Sequence, residues 1–505
     1  MAPVQRSIFE YFQDFAGVWG EELFLFDENR RYTVRETFGE AIAIANRLYD
    51  CGIGRGSLVA LRSTRSLDAY LIYLAIEFMG ATAVLTNPHQ DAETFLRDTG
   101  LPITPDLTVT NEKAGGGISA VGNWEIPGHG DLVIHHPGRV EVPRFPVGTD
   151  IHSPATMVFT SGSTGKSKAT VLSQEAMLQY AEDSIVQPWH LPGDIAIVTL
   201  PTQHAFSLCL LITAFVARYA LFFPRSLDAE YVLDCIPQYQ ITRINGVPSY
   251  MYVLARANAQ NPRDLRSLRT GFTAGSPIIP EQHRFIEQSL GMALHPLYGM
   301  SESISISCTA PTDDPEHRAT TVGKFHRDAG CILDPQGREL PTGAVGEVCV
   351  SGPALFLGYY ADEEATRKSM DEAGRLHTGD LGFVDDQGYL HLTGRIKSVI
   401  IRNGINLSPA KIEAAIRSVP GVENTMVVGI RHELMGEAPC ALVIPRPGVT
   451  MTAAQLTEAL STRLLKNEIP IAFLFDQAIP LNDIGKPDKK QVQAMFRHWR
   501  TYDAH

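Results

Sequence analysis

The sequence predicts an α/β fold built from more than one unit, and three observations carry that reading. Its 505 residues are too many for a single hydrophobic core. From Thr33 onward, stretches of helical period alternate with short apolar runs of strand type. Near Val345 the pattern changes to turn-rich alternating strands, and beyond Gly394 to a closely spaced mixture of helices and strands. The expected architecture is a large N-terminal domain of α/β sheets with a smaller β subdomain, followed by a small α+β C-terminal domain.

Taken in order, Arg35 to Tyr49 repeats its apolar residues at helical spacing, Ser57 to Leu61 reads as strand, Leu67 to Phe78 as helix and Ala81 to Leu85 as strand. Residues 101 to 150 are rich in Pro, Gly and His with weak periodicity, which predicts irregular surface connections. The alternation resumes with a helix at Glu175 to Asp183, a strand at Ile195 to Leu200, a helix at Ser207 to Ala217 and a strand at Ala220 to Phe223. A helix at Ala229 to Cys235, a strand at Arg243 to Gly246, a helix at Ser249 to Ala255 and a strand at Ala293 to Leu297 follow. Val345 to Ser351 and Gly388 to Leu392 read as half-buried strands. The last hundred or so residues read as helix (Pro409 to Ser418), strands (Thr425 to Ile430, Pro439 to Pro445), helix (Ala453 to Lys466), strand (Ile471 to Phe475) and a helix from Asp488. The domain boundaries expected are 1–393, a linker at 394–397, and 398–505.

A hydrophobic fraction of 44% and a charged fraction of 20% are those of a globular enzyme-like chain. The formal charge of -13 argues against a general nucleic-acid binder, which needs a basic face. Seven cysteines, Cys51, Cys209, Cys235, Cys308, Cys331, Cys349 and Cys440, stand singly with no Cys-x-x-Cys pair, as reduced core residues do. An amphipathic N-terminus without an apolar leader predicts a cytoplasmic protein. The most apolar run, Ser207 to Phe223, is interrupted by Arg218 and is short for a bilayer, so no membrane span is expected.

Phe159 to Lys168 follows the apolar run Ala155 to Phe159 and brings together five hydroxyls, Gly162, Gly165, Lys166 and Lys168. Glycines let backbone N–H groups converge, hydroxyls add donors and lysines add charge, so the stretch is a candidate polyphosphate cradle. It is not a P-loop, because that pattern needs glycine where Thr160 stands. A flexible Gly/Ser surface linker is the competing reading of the same composition. Gly52, Gly54 and Gly56 lie after a helix and before a strand, the wrong order for a dinucleotide loop. The sixteen histidines contain no His-x-x-x-His pair, which argues against a zinc site of that kind.

Six stretches in one order resemble the acyl-adenylate-forming (AMP-binding) superfamily of acyl-CoA synthetases, amide-forming ligases, adenylation domains and luciferase-like enzymes. They are Thr160 to Lys168, Tyr298-Gly299-Met300-Ser301-Glu302, Gly346-Glu347, His377-Thr378-Gly379-Asp380, Gly394-Arg395 and Asn482-Asp483-Ile484-Gly485-Lys486. The resemblance spans nearly the whole chain. It implies that ATP is held by Thr160, Ser161, Gly162, Ser163, Thr164, Gly165, Lys166 and Lys168 at its phosphates. Gly275, Ser276, Tyr298, Gly299 and Ser301 would lie at the adenine and the adjoining turn, and Asp380 and Arg395 at the ribose and phosphate oxygens. Glu302 would be the Mg²⁺ ligand, in keeping with the preference of that cation for oxygen. Lys486 would supply the catalytic cation, and His204 would face the acyl carboxylate or help deprotonate an acceptor. Ala205, Phe206, Val247, Ser303, Ser305 and Ile306 would line the acid pocket with His204. Lys397 aligns with the hinge about which family members rotate a mobile C-terminal domain, and Gly404 with a pantetheine channel.

The implied activity is ATP-dependent conversion of a small carboxylic acid to acyl-AMP with release of pyrophosphate, followed by transfer to a nucleophile. Gly404 favours CoA as that nucleophile. Asn403-Gly404-Ile405-Asn406 is not a close match to the commonest form of its loop, and Ser167 and Ala169 replace the usual proline and glycine beside Lys168. Transfer to an amine, giving an amide, and loading of a carrier protein therefore stay open. A nucleotide-binding sensor without activity is disfavoured by the presence of both Lys486 and Glu302.

Overall fold

The computed structural model describes residues 4–496 apart from 63–64, 89, 111, 114–116, 119–123, 127–129, 133–141, 162–166, 186–188, 202, 327–328, 397–398, 403–404, 433–434 and 482–486. Its elements arise where the sequence pattern asks for them. The helix Leu67–Phe78 starts at Ser66, whose hydroxyl accepts the Ala69 N–H, and every one of its residues is buried. The helix Val34–Asp50 opens with a capping box between Thr33 and Glu36. The predicted strand Arg243–Gly246 forms with those bounds.

Contacts divide the chain into two units, Met1–Gly330 with Val350–Leu376, and Cys331–Cys349 with His377–His505. In the first, one sheet of nine strands among the described residues runs Lys324–Phe325, Ser303–Cys308, Ala293–Met300, Thr270–Thr273, Arg243–Gly246, Ile195–Ile197, Ala220–Phe222, Leu23–Phe26, Arg31–Thr33. Its middle is parallel, as crossover helices require. Ile197, Phe222, Ile244 and Leu294 pack one face against the helices Ala229–Tyr239, Pro248–Gln260 and Pro280–Leu290, through Val232, Met251 and Ile286 among others. Each such large apolar side chain contributes about 1.5–3 kcal/mol by leaving water.

The second sheet of this unit has eight described strands, ordered Gly358–Tyr359, Ser167–Ser173, Pro154–Ser161, Thr82–Thr86, Leu58–Arg62, Leu107–Thr110, Trp124–Ile126, Gly130–Leu132. Here the reading of residues 101 to 150 needs correction. Leu107–Thr110 pairs parallel with Leu58–Arg62, Trp124–Ile126 adds beyond it, and Trp124 is 1% exposed. These strands are too short to show a period between their Pro- and Gly-rich neighbours, so only pairing reveals them.

The second unit holds a four-stranded sheet, Gly330–Leu333, Gly346–Val350, Leu376–Val384, Leu390–Arg395, three of whose residues, Gly330, Val350 and Leu376, belong by contacts to the first. It also holds a sheet ordered Ile405–Leu407, Ile400–Arg402, Gly436–Pro445, Val422–His432, with Ala472–Phe475 parallel to Gly436–Pro445. Gly394 and Arg395 are strand residues, paired with Leu381 and Asp380. The contact boundary falls at Leu376 and His377, earlier than the expected linker. No described helix is long and apolar enough to cross a membrane. Among the described residues, Cys51, Cys235, Cys308, Cys331, Cys349 and Cys440 form no disulfide.

Candidate active site

In the first unit, Pro154–Ser161 and Ser167–Ser173 pair antiparallel, with Thr160 opposite Lys168 and Ser161 opposite Ser167. The cradle residues Gly162, Ser163, Thr164, Gly165 and Lys166 join these strands and lie outside the described residues. The short strand Gly358–Tyr359 pairs with the returning strand, Tyr359 opposite Thr170. That register sets the Lys168 ammonium 4.0 Å from the centre of the Tyr359 ring.

Ala293–Met300 turns back into Ser303–Cys308 as a hairpin with Ser301 and Glu302 at its tip. Gly299 is required by close approach, since a Cβ there would stand 2.3 Å from the Ile304 carbonyl oxygen. Glu302 is 7% exposed, and its Oε1 accepts a 2.5 Å hydrogen bond from the Tyr359 hydroxyl. Burial beside this carboxylate pushes the Tyr359 phenol well above its ordinary pKa, so it stays a donor. Oε2 of Glu302 has no hydrogen-bond partner among the described residues. A buried carboxylate with one oxygen oriented and the other unused suits a hard cation such as Mg²⁺. Tyr298 is buried at 8% exposure on the same strand, and Gly275 and Ser276 follow Thr270–Thr273 in a turn.

His204 is the N-cap of the helix Ala205–Ala217, and its carbonyl accepts the Ser207 and Leu208 N–H groups. Phe206 packs against Trp189, Phe272, Ala274, Leu297 and Cys308. Val247 caps the helix Pro248–Gln260 at the end of the strand Arg243–Gly246. Strand alternation sends Ser303 and Ser305 to one face and Ile306 to the other, and the Ser305 hydroxyl lies 2.8 Å from Nε2 of His326.

In the second unit, Asp380 and Arg395 are cross-strand partners, and Arg395 Nε donates to Asp380 Oδ1 at 2.6 Å. The carboxylate is buried while the arginine side chain is 66% exposed. The preceding turn is held by Glu347, whose Oε1 accepts the Gly379 N–H at 2.9 Å, and by Thr378, whose hydroxyl accepts the Asp380 N–H and donates to the Val348 carbonyl. Gly379 has φ +72°, which only glycine adopts without strain. Glu347 Oε2 also meets His377 Nδ1 at 2.8 Å, and Cys349 Sγ lies 3.5 Å from the same nitrogen. These three are the one group of metal-ligating types within 4.8 Å of one another among the described residues. Spacing within the sequence could not reveal this group, because it forms across two strands. Lys397, Gly404 and Lys486 lie outside the described residues.

Sequence reasoning missed Tyr359. Its only signal is the aromatic pair Tyr359-Tyr360 after Gly358, and its partner Glu302 is 57 residues away.

The α/β fold and the ordered motifs together define an adenylate-forming ligase. The AMP-binding enzyme family matches residues 12–360, its C-terminal domain matches residues 411–486, and the chain belongs to this family. The chain is 28% identical to 3-[(3aS,4S,7aS)-7a-methyl-1,5-dioxo-octahydro-1H-inden-4-yl]propanoyl:CoA ligase of Rhodococcus jostii, over 94% of this chain and 96% of that protein. The crystal structure of ATP-bound MatB from Rhodopseudomonas palustris superposes with a TM-score of 0.84 at 25% identity, covering 97% of this chain and 99% of that one. The amide bond synthetase McbA from Marinactinospora thermotolerans superposes with a TM-score of 0.83 at 24% identity, covering 97% and 99%, a likeness of fold. The family and ligase class expected from the motifs are borne out.

Proposed function

We propose that this enzyme activates a small carboxylic acid with ATP and passes the acyl group to the thiol of CoA. A carboxylate oxygen of the acid attacks the α-phosphorus of ATP, the bond to pyrophosphate breaks, and an acyl-AMP mixed anhydride forms. The thiol of CoA then attacks the acyl carbon, the bond to AMP breaks, and the thiol proton leaves to solvent. Such chemistry asks the protein mainly to position groups and to stabilise charge.

The observation that carries the proposal is the oriented Glu302 carboxylate at the hairpin tip, tied through Tyr359 to the strand that leaves the cradle. When bound, Mg²⁺ neutralises charge on the phosphates, and Glu302 would hold it. Thr160 and Lys168, at the two ends of the cradle, would bind phosphate oxygens together with the loop between them. Tyr298, Gly275 and Ser276 would hold adenine, and Asp380, with its turn fixed by Glu347, would accept the ribose hydroxyls. Arg395 would hold Asp380 in place and reach phosphate oxygens itself. His204, at a helix N-terminus, would orient the carboxylate of the acid.

The roles of Lys486 in catalysis, Lys397 as hinge and Gly404 in the acceptor channel are supported by the motifs that contain them. CoA as acceptor is supported by the Rhodococcus relative, which is named as a CoA ligase. The deciding experiment incubates the enzyme with ATP, Mg²⁺, mixed acids, and either CoA or a panel of amines, with products read by mass spectrometry. An acyl-CoA thioester is expected; an amide formed in its place would replace CoA by an amine as acceptor.

A further inference from the structure

Glu347 and Cys349 stand two residues apart on the strand Gly346–Val350, so strand alternation puts both on one face. His377 comes from the neighbouring strand Leu376–Val384, and all three residues belong to the second unit. Oε2 of Glu347 and Sγ of Cys349 approach the same ring nitrogen, Nδ1 of His377, at 2.8 and 3.5 Å. A carboxylate can only accept, so Nδ1 carries the proton, which faces both an oxygen and a sulfur.

Carboxylate, thiolate and imidazole, with a fourth position left to water, are a donor set for Zn²⁺. Bonds of about 2.0–2.3 Å at tetrahedral angles hold such ligand atoms about 3.4–3.6 Å apart. The Nδ1 to Sγ separation of 3.5 Å is already in that range, the 2.8 Å between Nδ1 and Oε2 must open to reach it, and all three atoms lie within 4.8 Å of one another. A carboxylate and a thiolate together balance the charge of the ion, as burial of a charge requires. A hard cation such as Mg²⁺ prefers oxygen alone, so this group and Glu302 select different ions. Access comes through the carboxylate and the imidazole, whose side chains are 19% and 30% exposed, while Cys349 is 0% exposed. The ion enters where the Nδ1 proton now lies and meets the sulfur there.

The same carboxylate holds the turn before Asp380, since its Oε1 accepts the Gly379 N–H at 2.9 Å. Opening the 2.8 Å contact moves either the Glu347 carboxylate, which loosens its hold on Gly379, or the imidazole, which belongs to the same His377–Asp380 segment. Either way the change falls on the turn that presents Asp380.

We propose that Glu347, Cys349 and His377 bind Zn²⁺, and that this binding opposes that of the nucleotide ribose at Asp380. The ion takes the Nδ1 lone pair, the imidazole proton moves through solvent to Nε2, and the Cys349 thiol releases its proton to solvent. The site stands on its own geometry; the antagonism rests on the proposed role of Asp380.

The test starts from full-length protein stripped of metal with a chelator. Co²⁺, a spectroscopic stand-in for Zn²⁺, should bind at a single tight site with tetrahedral visible bands and a sulfur-to-metal charge-transfer band in the near ultraviolet, and Zn²⁺ should displace it. In Cys349→Ala the charge-transfer band should vanish. Zn²⁺ affinity, read against a chromogenic chelator, should fall at least roughly tenfold, the cost of losing even an outer partner of a metal. Calorimetry with AMP, which carries the same ribose, reads the antagonism without turnover. Saturating Zn²⁺ should weaken AMP binding to the wild type roughly fivefold or more, AMP should weaken Zn²⁺ binding by the same factor, and Cys349→Ala should bind AMP equally well with and without Zn²⁺.

A cobalt spectrum without the sulfur band, or one unchanged in Cys349→Ala, overturns the site. AMP affinity indifferent to Zn²⁺ overturns the antagonism. AMP that fails to bind the metal-free protein overturns the antagonism together with the nucleotide reading, while the spectrum still decides the site. Should Cys349→Ala fail to fold, His377→Gln carries the same affinity measurement.

Discussion

The Tyr359 hydroxyl donates a 2.5 Å hydrogen bond to Glu302 Oε1, and the same ring carries the Lys168 ammonium 4.0 Å from its centre. One side chain thus joins the carboxylate proposed for Mg²⁺ to a lysine proposed for phosphate. Neither contact follows from sequence neighbourhood. The lysine contact follows from the pairing of Gly358–Tyr359 with Ser167–Ser173, and the Glu302 contact from the Ser303–Leu355 bridge and the hydrogen bond from the Phe356 N–H to the Glu302 carbonyl.

Tyr359→Phe keeps the ring under Lys168 and removes only the donor. A hydrogen bond to a charged group contributes about 1.5–3 kcal/mol. ATP–pyrophosphate exchange should fall roughly tenfold to hundredfold, with a higher Mg²⁺ requirement and a melting temperature lower by a few degrees. Exchange at wild-type rate and Mg²⁺ dependence would remove Tyr359 from the site.

Arg395→Ala separates a nucleotide role from a structural one. The Arg395 side chain is 66% exposed, so loss of its pair with Asp380 should change stability by less than about 1 kcal/mol. The KM for ATP should nonetheless rise at least roughly tenfold. A large loss of stability with unchanged ATP kinetics would make the pair structural.

Lys486→Ala should slow exchange at least roughly hundredfold, the scale of removing a preorganised charge from a transition state. Near-normal exchange would take Lys486 out of the chemistry, whatever its motif suggests.

Glu77 makes stability depend on pH. It is 0% exposed, and burial pushes its carboxyl from 4.5 up to about 7, while hydrogen bonds from Thr156 and Gln174 pull the other way. A raised folded-state value favours the protonated form, so its stabilising contribution is complete below pH 4.5 and fades as pH rises through about 7. Glu77→Gln should flatten the melting-temperature profile between those values and gain stability relative to wild type at pH 8. Parallel profiles for the two proteins would contradict this.

Much of this molecule is legible in its sequence where local signals agree. Leu67 to Phe78 has an N-cap serine and an unbroken apolar run, and Arg243 to Gly246 sits between two helical segments, so both elements form with the bounds read. The helix at Ala229 runs on to Tyr239 through Pro237, beyond the expected stop at Cys235, because a proline near a helix end sacrifices only one hydrogen bond. The helix at Ala453 ends at Ser461, short of Lys466, and Leu464 is buried in the turn that follows. Of the site, the motif positions were legible and their partners were not. Asp380 with Arg395 and Glu347 with Gly379 are contacts across strands, and Tyr359 meets Glu302 from a strand to a hairpin tip, none of them between sequence neighbours.

Acid-dependent exchange of labelled pyrophosphate into ATP is decisive for adenylation, because it requires the reversible formation of an acyl-AMP on the enzyme. Exchange should appear only when a suitable carboxylic acid and Mg²⁺ are added, before any acceptor is present. Exchange that is independent of acid, or absent across a broad panel of mono- and dicarboxylic acids, would contradict it.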